Sequence, residues 1–99
     1  MPVGTFVIGP LGTIERVDDG ACRLVGYPEG ELVGLHGSEL IPPEARAMTA
    51  VTLDRMRRDE LAVNNGRMIR SDGSIFSFEV SARPLGQGRL ELCVRALQS

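Results

Sequence analysis

Tryptophan and lysine are absent from this 99-residue chain, and its flat rings amount to one tyrosine and three phenylalanines. So few aromatics build no stacking platform for single-stranded nucleic acid. Eleven arginines and thirteen acidic side chains are interspersed to a net charge of −2, which leaves no basic face for a nucleic-acid partner either. That every basic residue is arginine is read as coding bias of the source, not as a phosphate site. The two cysteines, Cys22 and Cys93, follow no metal or redox spacing. A reduced, cytoplasmic setting fits them best, with a single disulfide left open by spacing alone. A chain of this length buries well over half of its unfolded surface and needs no such staple. No apolar run is long enough to span a bilayer, and the start lacks the basic-then-apolar pattern of a secretory signal, so no membrane partner is expected.

What is present is organised around residues 66–97. Phe76, Phe78, Val80 and Ala82 alternate with Ser77, Glu79, Ser81 and Arg83. Leu90, Leu92, Val94 and Ala96 repeat the rhythm against Glu91, Cys93 and Arg95. A period of two places one set on a buried face and the other outward. Ser71-Asp72-Gly73-Ser74 and Gly86-Gln87-Gly88 carry the turn chemistry that joins such strands, and Arg67 to Arg70 reads as the strand before them. Asn64-Asn65-Gly66 reads as a turn or bulge ahead of it.

A sheet apolar on one face needs a cover. Thr5 to Ile8 and Thr13 to Val17 read as two further strands, joined through Pro10-Leu11-Gly12. Asp18-Asp19 is placed to cap a short helix whose apolar side is Cys22, Leu24 and Val25, closed by Gly26. A second helical turn, Glu29 to Val33, ends at Gly34. Leu35 to Pro43 is a connector holding the only histidine, His36. A longer helix is expected from Pro43 to Glu60, with Ala45, Met48, Val51, Thr52 and Met56 inward and Arg46, Asp54, Arg57 and Arg58 in water.

Three blocks then stand out: Gly12-x-Ile14-x-x-Val17-Asp18 with Leu24-x-Gly26-Tyr27 and Glu31-Leu32-x-Gly34; Leu40-Ile41-x-Pro43-Glu44-x-Arg46; and Arg67-x-x-Arg70-x-Asp72-Gly73-Ser74-x-Phe76. In order and separation they resemble the PAS domains, small sensory modules of signalling proteins. The resemblance covers nearly the whole chain. It implies an α+β fold with a five-stranded antiparallel sheet, order 2-1-5-4-3, and helices across one face enclosing a core that is sometimes a ligand pocket. Ninety-nine residues are read as one domain, residues 1–99, and a stop just after the last strand is read as either a fragment of a larger signalling protein or a chain cut at the domain edge. Two features depart from the family. Arg95-Ala96-Leu97-Gln98 stands where an Asp-Ile-Thr-like triplet is common, and Gly20 stands where alanine is common, which reads as a looser first helix.

The resemblance frames the candidate sites. Met48, Thr52, Met56, Met68, Phe76 and Phe78 are the expected lining of a pocket for a small apolar ligand, with ordinary core packing as the alternative. Ser77, Glu79, Ser81, Cys93 and Arg95 form the outer sheet face, the expected surface for a homodimer. No cofactor is required. Haem is disfavoured because His36 precedes the long helix that carries the ligand in haem-binding members. A covalent flavin adduct is disfavoured because Gly34-Leu35-His36-Gly37-Ser38 lacks the reactive cysteine, Cys22 being read as a small buried residue. Noncovalent flavin or haem sensing, and a packed scaffold without ligand, are the alternatives. The acidic pairs Asp18-Asp19 and Asp59-Glu60 do not converge on a metal and are read as capping and solvation. With one histidine and no motif around any serine, no catalytic constellation assembles, and no enzyme is expected.

Overall fold

In the computed structural model, which describes residues 2–97, five strands form one antiparallel sheet. They are β1 Val3–Ile8, β2 Ile14–Val17, β3 Val63–Ile69, β4 Ile75–Gly86 and β5 Arg89–Ala96, in the order β2-β1-β5-β4-β3. Helices α1 Asp19–Val25, α2 Glu29–Leu32 and α3 Arg46–Arg57, with 3-10 turns at Gly37–Leu40 and Pro43–Ala45, cover one face. The expected architecture and strand order are both present. Gln98, named in the departure from the usual C-terminal triplet, lies outside the described residues.

Alternation decides which side of each long strand is buried. Phe76, Phe78 and Val80 of β4, and Leu90, Leu92, Val94 and Ala96 of β5, all join the core. The β3–β4 turn closes as its sequence predicts: Asp72 Oδ1 accepts the Ser74 hydroxyl at 2.7 Å and the Ser74 N–H at 2.9 Å, while Gly73 takes φ +89°. Those two bonds hold the Asp72 carboxyl below the ordinary carboxylate range. The β4–β5 turn is narrower than the expected Gly-Gln-Gly. Gly86 ends β4, and Gln87 and Gly88 turn the chain with φ of 56° and 80°.

The first helix is held at both ends. Asp18 Oδ1 accepts the Ala21 N–H at 2.8 Å, and the same oxygen accepts the Thr5 N–H of β1 at 3.0 Å. One carboxylate therefore caps α1 and fastens it to the sheet. Burial pushes this carboxyl up, but the bonds from Thr5 and Ala21 outweigh it and leave the group below its ordinary value. Gly26 at φ +79° closes the helix, its N–H on Cys22 O at 2.8 Å.

Asn64-Asn65-Gly66 is no turn: the three residues sit inside β3, opposite Val80, Glu79 and Phe78. A long β4 offers partners to all three, and cross-strand pairing overrides their turn preference. β1 likewise begins at Val3, two residues before the expected start. The expected helix over 43–60 is a 3-10 turn followed by α3, which ends at Arg57. Its covered stripe runs through Ala45, Thr49, Thr52, Leu53 and Met56, whereas Val51 is 55% and Met48 68% exposed. Only that narrow stripe meets the sheet, and Val51 lies off it. Arg57 is half-buried instead of facing water. Its guanidinium donates to Gly88 O at 3.0 Å and Gly9 O at 3.1 Å, tying the end of α3 to the turns of both flanking hairpins. Arg46 is exposed yet engaged, its Nε donating to Ser38 O at 2.9 Å. Cys22 is half-buried, and both cysteines are free, which removes the disulfide.

Candidate functional site

Between the inner sheet face and the helical cover lies a cavity of about 180 Å³. Phe78 and Val80 of β4, Leu92 and Val94 of β5, and Met68 of β3 line it from the sheet. Leu53 and Met56 of α3, with Leu40 and Ile41 before it, line it from the cover. The wall is therefore mainly hydrocarbon and thioether, surfaces that favour an apolar occupant. Among the described residues no charged or polar side chain is fully buried.

Polar groups on the lining are few. The Thr49 hydroxyl is already committed to Ala45 O at 2.9 Å. Arg67 of β3 reaches Glu44 at 3.6 Å, and both side chains are more than half exposed. That pair is a weak contact across the rim. Thr52 and Asn64 also line the cavity, from α3 and β3 respectively.

Five of the six expected pocket residues reach this space: Thr52, Met56, Met68 and Phe78 on its wall and Met48 at its largely exposed rim. Phe76 does not. It is buried beside the cavity, with the Arg70 guanidinium 4.3 Å above its ring. Arg70 also donates from Nε to Leu24 O at 3.2 Å, so that corner of the sheet is fixed to α1 instead of open. Asn64, Asn65 and Gly66 are also on the lining, although residues of these types in isolation favour a turn. Counting backward in steps of two from Met68 would have placed Gly66 and Asn64 on the inner face.

The residues considered for cofactor chemistry lie elsewhere. His36 does not line the cavity. Its Nδ1 accepts the Ser38 N–H at 3.2 Å, which leaves Nε2 to donate to Leu11 O at 2.9 Å. The ring thus pegs the turn between β1 and β2. Cys22 is on α1, where burial first, then the carboxylates of Glu29, Asp19 and Asp18, pushes its thiol up and away from the reactive thiolate. No group of His, Cys, Asp and Glu with metal-binding geometry occurs among the described residues. No helix among them is long and apolar enough to cross a membrane.

On the opposite sheet face, Ser77, Ser81 and Cys93 are exposed, while Glu79 and Arg95 are half-buried and bonded to each other at 2.9 Å. Thr5, Cys93, Ser81 and Val63 lie in one cross-strand row of short side chains. The pair Arg95–Glu79 flanks this row on one side, and Arg83–Glu91, at 3.0 Å, flanks it on the other.

Comparison with known proteins gives a consistent result. A family profile described as PAS domain matches residues 2–97. The PAS domain of an HTR-like protein from Haloarcula marismortui is 28% identical, with a TM-score of 0.81 over 97% of this chain and 82% of that one. A domain of a sensory box sensor histidine kinase/response regulator from Geobacter sulfurreducens is 22% identical, with a TM-score of 0.83 over 94% and 82%. The PAS domain of a LuxR-family transcriptional regulator from Burkholderia thailandensis, solved in complex with ethanol, is 18% identical, with a TM-score of 0.82 over 99% and 91%. No curated protein matches the sequence.

Proposed function

Because this chain belongs to the PAS-domain family, we propose that it is the sensory and interaction module of a cytoplasmic signalling protein of bacterial type, without catalysis of its own. The observation that carries this reading is the apolar cavity between sheet and cover. A ligand there touches α3 on one side and β3, β4 and β5 on the other, so its presence changes how tightly the cover sits on the sheet. Binding shifts the population of two packing arrangements by the difference in its affinity for them. A related domain holding ethanol supports a small molecule as the occupant. At about 180 Å³ the volume is small for a haem or a flavin ring system, several times larger than benzene.

The outer face is where a change in the sheet reaches a partner, and its charges favour a second copy. Glu79 and Arg95 are directly opposed on β4 and β5, as are Arg83 and Glu91 two rows away, in a checkerboard of alternating sign. A two-fold axis parallel to the sheet and midway between the two copies, running along or across the strands, brings each arginine over a glutamate of the other copy. The row of Cys93 and Ser81 between them keeps the approach close. Ser81→Arg breaks both features and is expected to convert a dimer to monomer in sedimentation velocity, with the fold unchanged by circular dichroism. A monomer before substitution, or a dimer after it, removes this face as the interface.

Mass spectrometry of purified protein under denaturing conditions tests the sensory reading. Release of a small molecule in stoichiometric amount is expected. Repeated absence from protein made in several hosts would favour a ligand-free dimerisation or docking scaffold instead.

A further inference from the structure

We propose that the cavity selects a small uncharged amphiphile, one ring or a short chain carrying a single hydrogen-bonding group, and that Asn64 receives that group. This rests on the cavity being a ligand site and adds the class of ligand. Three observations lead to it, beginning with volume. A cavity of about 180 Å³ is slightly larger than the engineered cavities of about 150 Å³ that take up benzene, so it holds about six to nine non-hydrogen atoms.

Charge is the second. The wall offers Phe78, Met56 and Met68 and no buried ionic group among the described residues, so a carboxylate or ammonium inside would lie unpaired at large desolvation cost. The one cation on the lining, Arg67, sits at the rim and shares its charge with Glu44. An anion approaching Arg67 meets the glutamate as well.

Position is the third. Asn64 stands opposite Val80, and so belongs to the inner row of β3 together with Gly66 and Met68. It is half-buried and lines the cavity, and its amide makes no hydrogen bond among the described residues. The amide offers both a donor and an acceptor, which suits a hydroxyl or a carbonyl equally. Thr49 offers less, because its hydroxyl already bonds Ala45 O. Gly66 beside Asn64 lets the Phe78 ring lie flat across the strand, since a Cβ there would come within 2.9 Å of Phe78 Cζ. An apolar body on Phe78 and a polar end at Asn64 pairs the single hydrogen-bonding group of the ligand and sets its hydrocarbon against the ring.

Methyl-13C-methionine NMR tests this, because Met56 and Met68 lie on the wall and Met48 at the rim. Toluene, benzyl alcohol and benzoate, similar in size, are titrated at pH 7 into the wild-type protein and into Asn64→Ala. Benzyl alcohol is expected to shift the Met56 and Met68 signals saturably, about three- to tenfold more tightly than toluene, and benzoate to bind at least tenfold more weakly. In Asn64→Ala the preference for benzyl alcohol over toluene is expected to vanish while toluene still binds. Equal binding of toluene and benzyl alcohol to the wild type, or a preference that survives in Asn64→Ala, overturns the assignment of Asn64. Benzoate binding as well as the alcohol overturns the uncharged class. In both cases the cavity remains a ligand site. No shift with any of the three probes overturns the site together with the inference. Dispersion of the methionine signals in Asn64→Ala confirms that the variant is folded, and Asn64→Ser, which supplies a hydroxyl in place of the amide, is expected to recover part of the preference.

Discussion

Phe78→Ala is expected to lower the free energy of unfolding by about 3–4 kcal/mol, read as a fall in the urea midpoint with an unchanged slope. The ring is 7% exposed, at the middle pair of the β3–β4 ladder, with β3 and β5 paired on either side. It also forms a wall of the existing cavity, so its removal enlarges a space that is already present and that the sheet cannot collapse to fill. The lost transfer energy and the added cavity act in the same direction. Gly66 directly opposite supplies no side chain to move in. A loss below about 1 kcal/mol would mean that the ring does not pack as described.

Gly20→Ala is expected to destabilise the domain by about 2 kcal/mol, although alanine is the better helix former by about 1 kcal/mol. Propensity and packing here oppose each other, and packing wins because the obstacle is backbone. A Cβ at Gly20 would lie 2.1 Å from Val3 O, and one at Gly4 would lie 2.4 Å from the backbone of Ala21. α1 therefore rests on β1 main chain to main chain. Neither side can yield cheaply, since β1 is paired on both edges, to β2 and to β5, and Asp18 bonds both elements at once. Far from loosening the first helix, Gly20 is what lets it seat. Gly30→Ala in α2 provides the control: a Cβ there meets nothing within 4 Å, so that substitution should be neutral or slightly stabilising. Equal thermal shifts for the two variants would contradict the close approach of α1 and β1.

What could be read from the sequence follows from which forces are local. The β4–β5 hairpin was legible because alternation and turn chemistry both sit within a few residues, and Phe78, Val80, Leu92 and Val94 are buried as their spacing predicts. The cap at Asp18 was legible for the same reason, but its second bond to Thr5 was not, because only the folded sheet brings that N–H within reach. Asn64-Asn65-Gly66 was misread because the residues prefer turns in isolation and become a strand only when β4 pairs with them. The same pairing places Asn64 on the inner row, opposite Val80. Along α3 the apolar residues do not mark the covered stripe: Met48 and Val51 are exposed while Thr49 and Arg57 are partly covered, a choice made by the surfaces facing the helix. The outer face was legible in composition, but the alternating signs of Glu79, Arg95, Arg83 and Glu91 appear only once the register of β4 on β5 is known.

Whether the space bounded by Met56, Met68 and Phe78 is a dry apolar chamber open to a small guest decides between a sensory module and a packed scaffold. Diffraction from a crystal of the domain pressurised with xenon measures this without any assumption about the natural ligand, since the atom seeks apolar cavities of this size. Xenon density among those three side chains, with the sheet and α3 undisplaced, is the predicted result. Ordered water filling that space, or side chains collapsed into it so that no xenon enters, would contradict it.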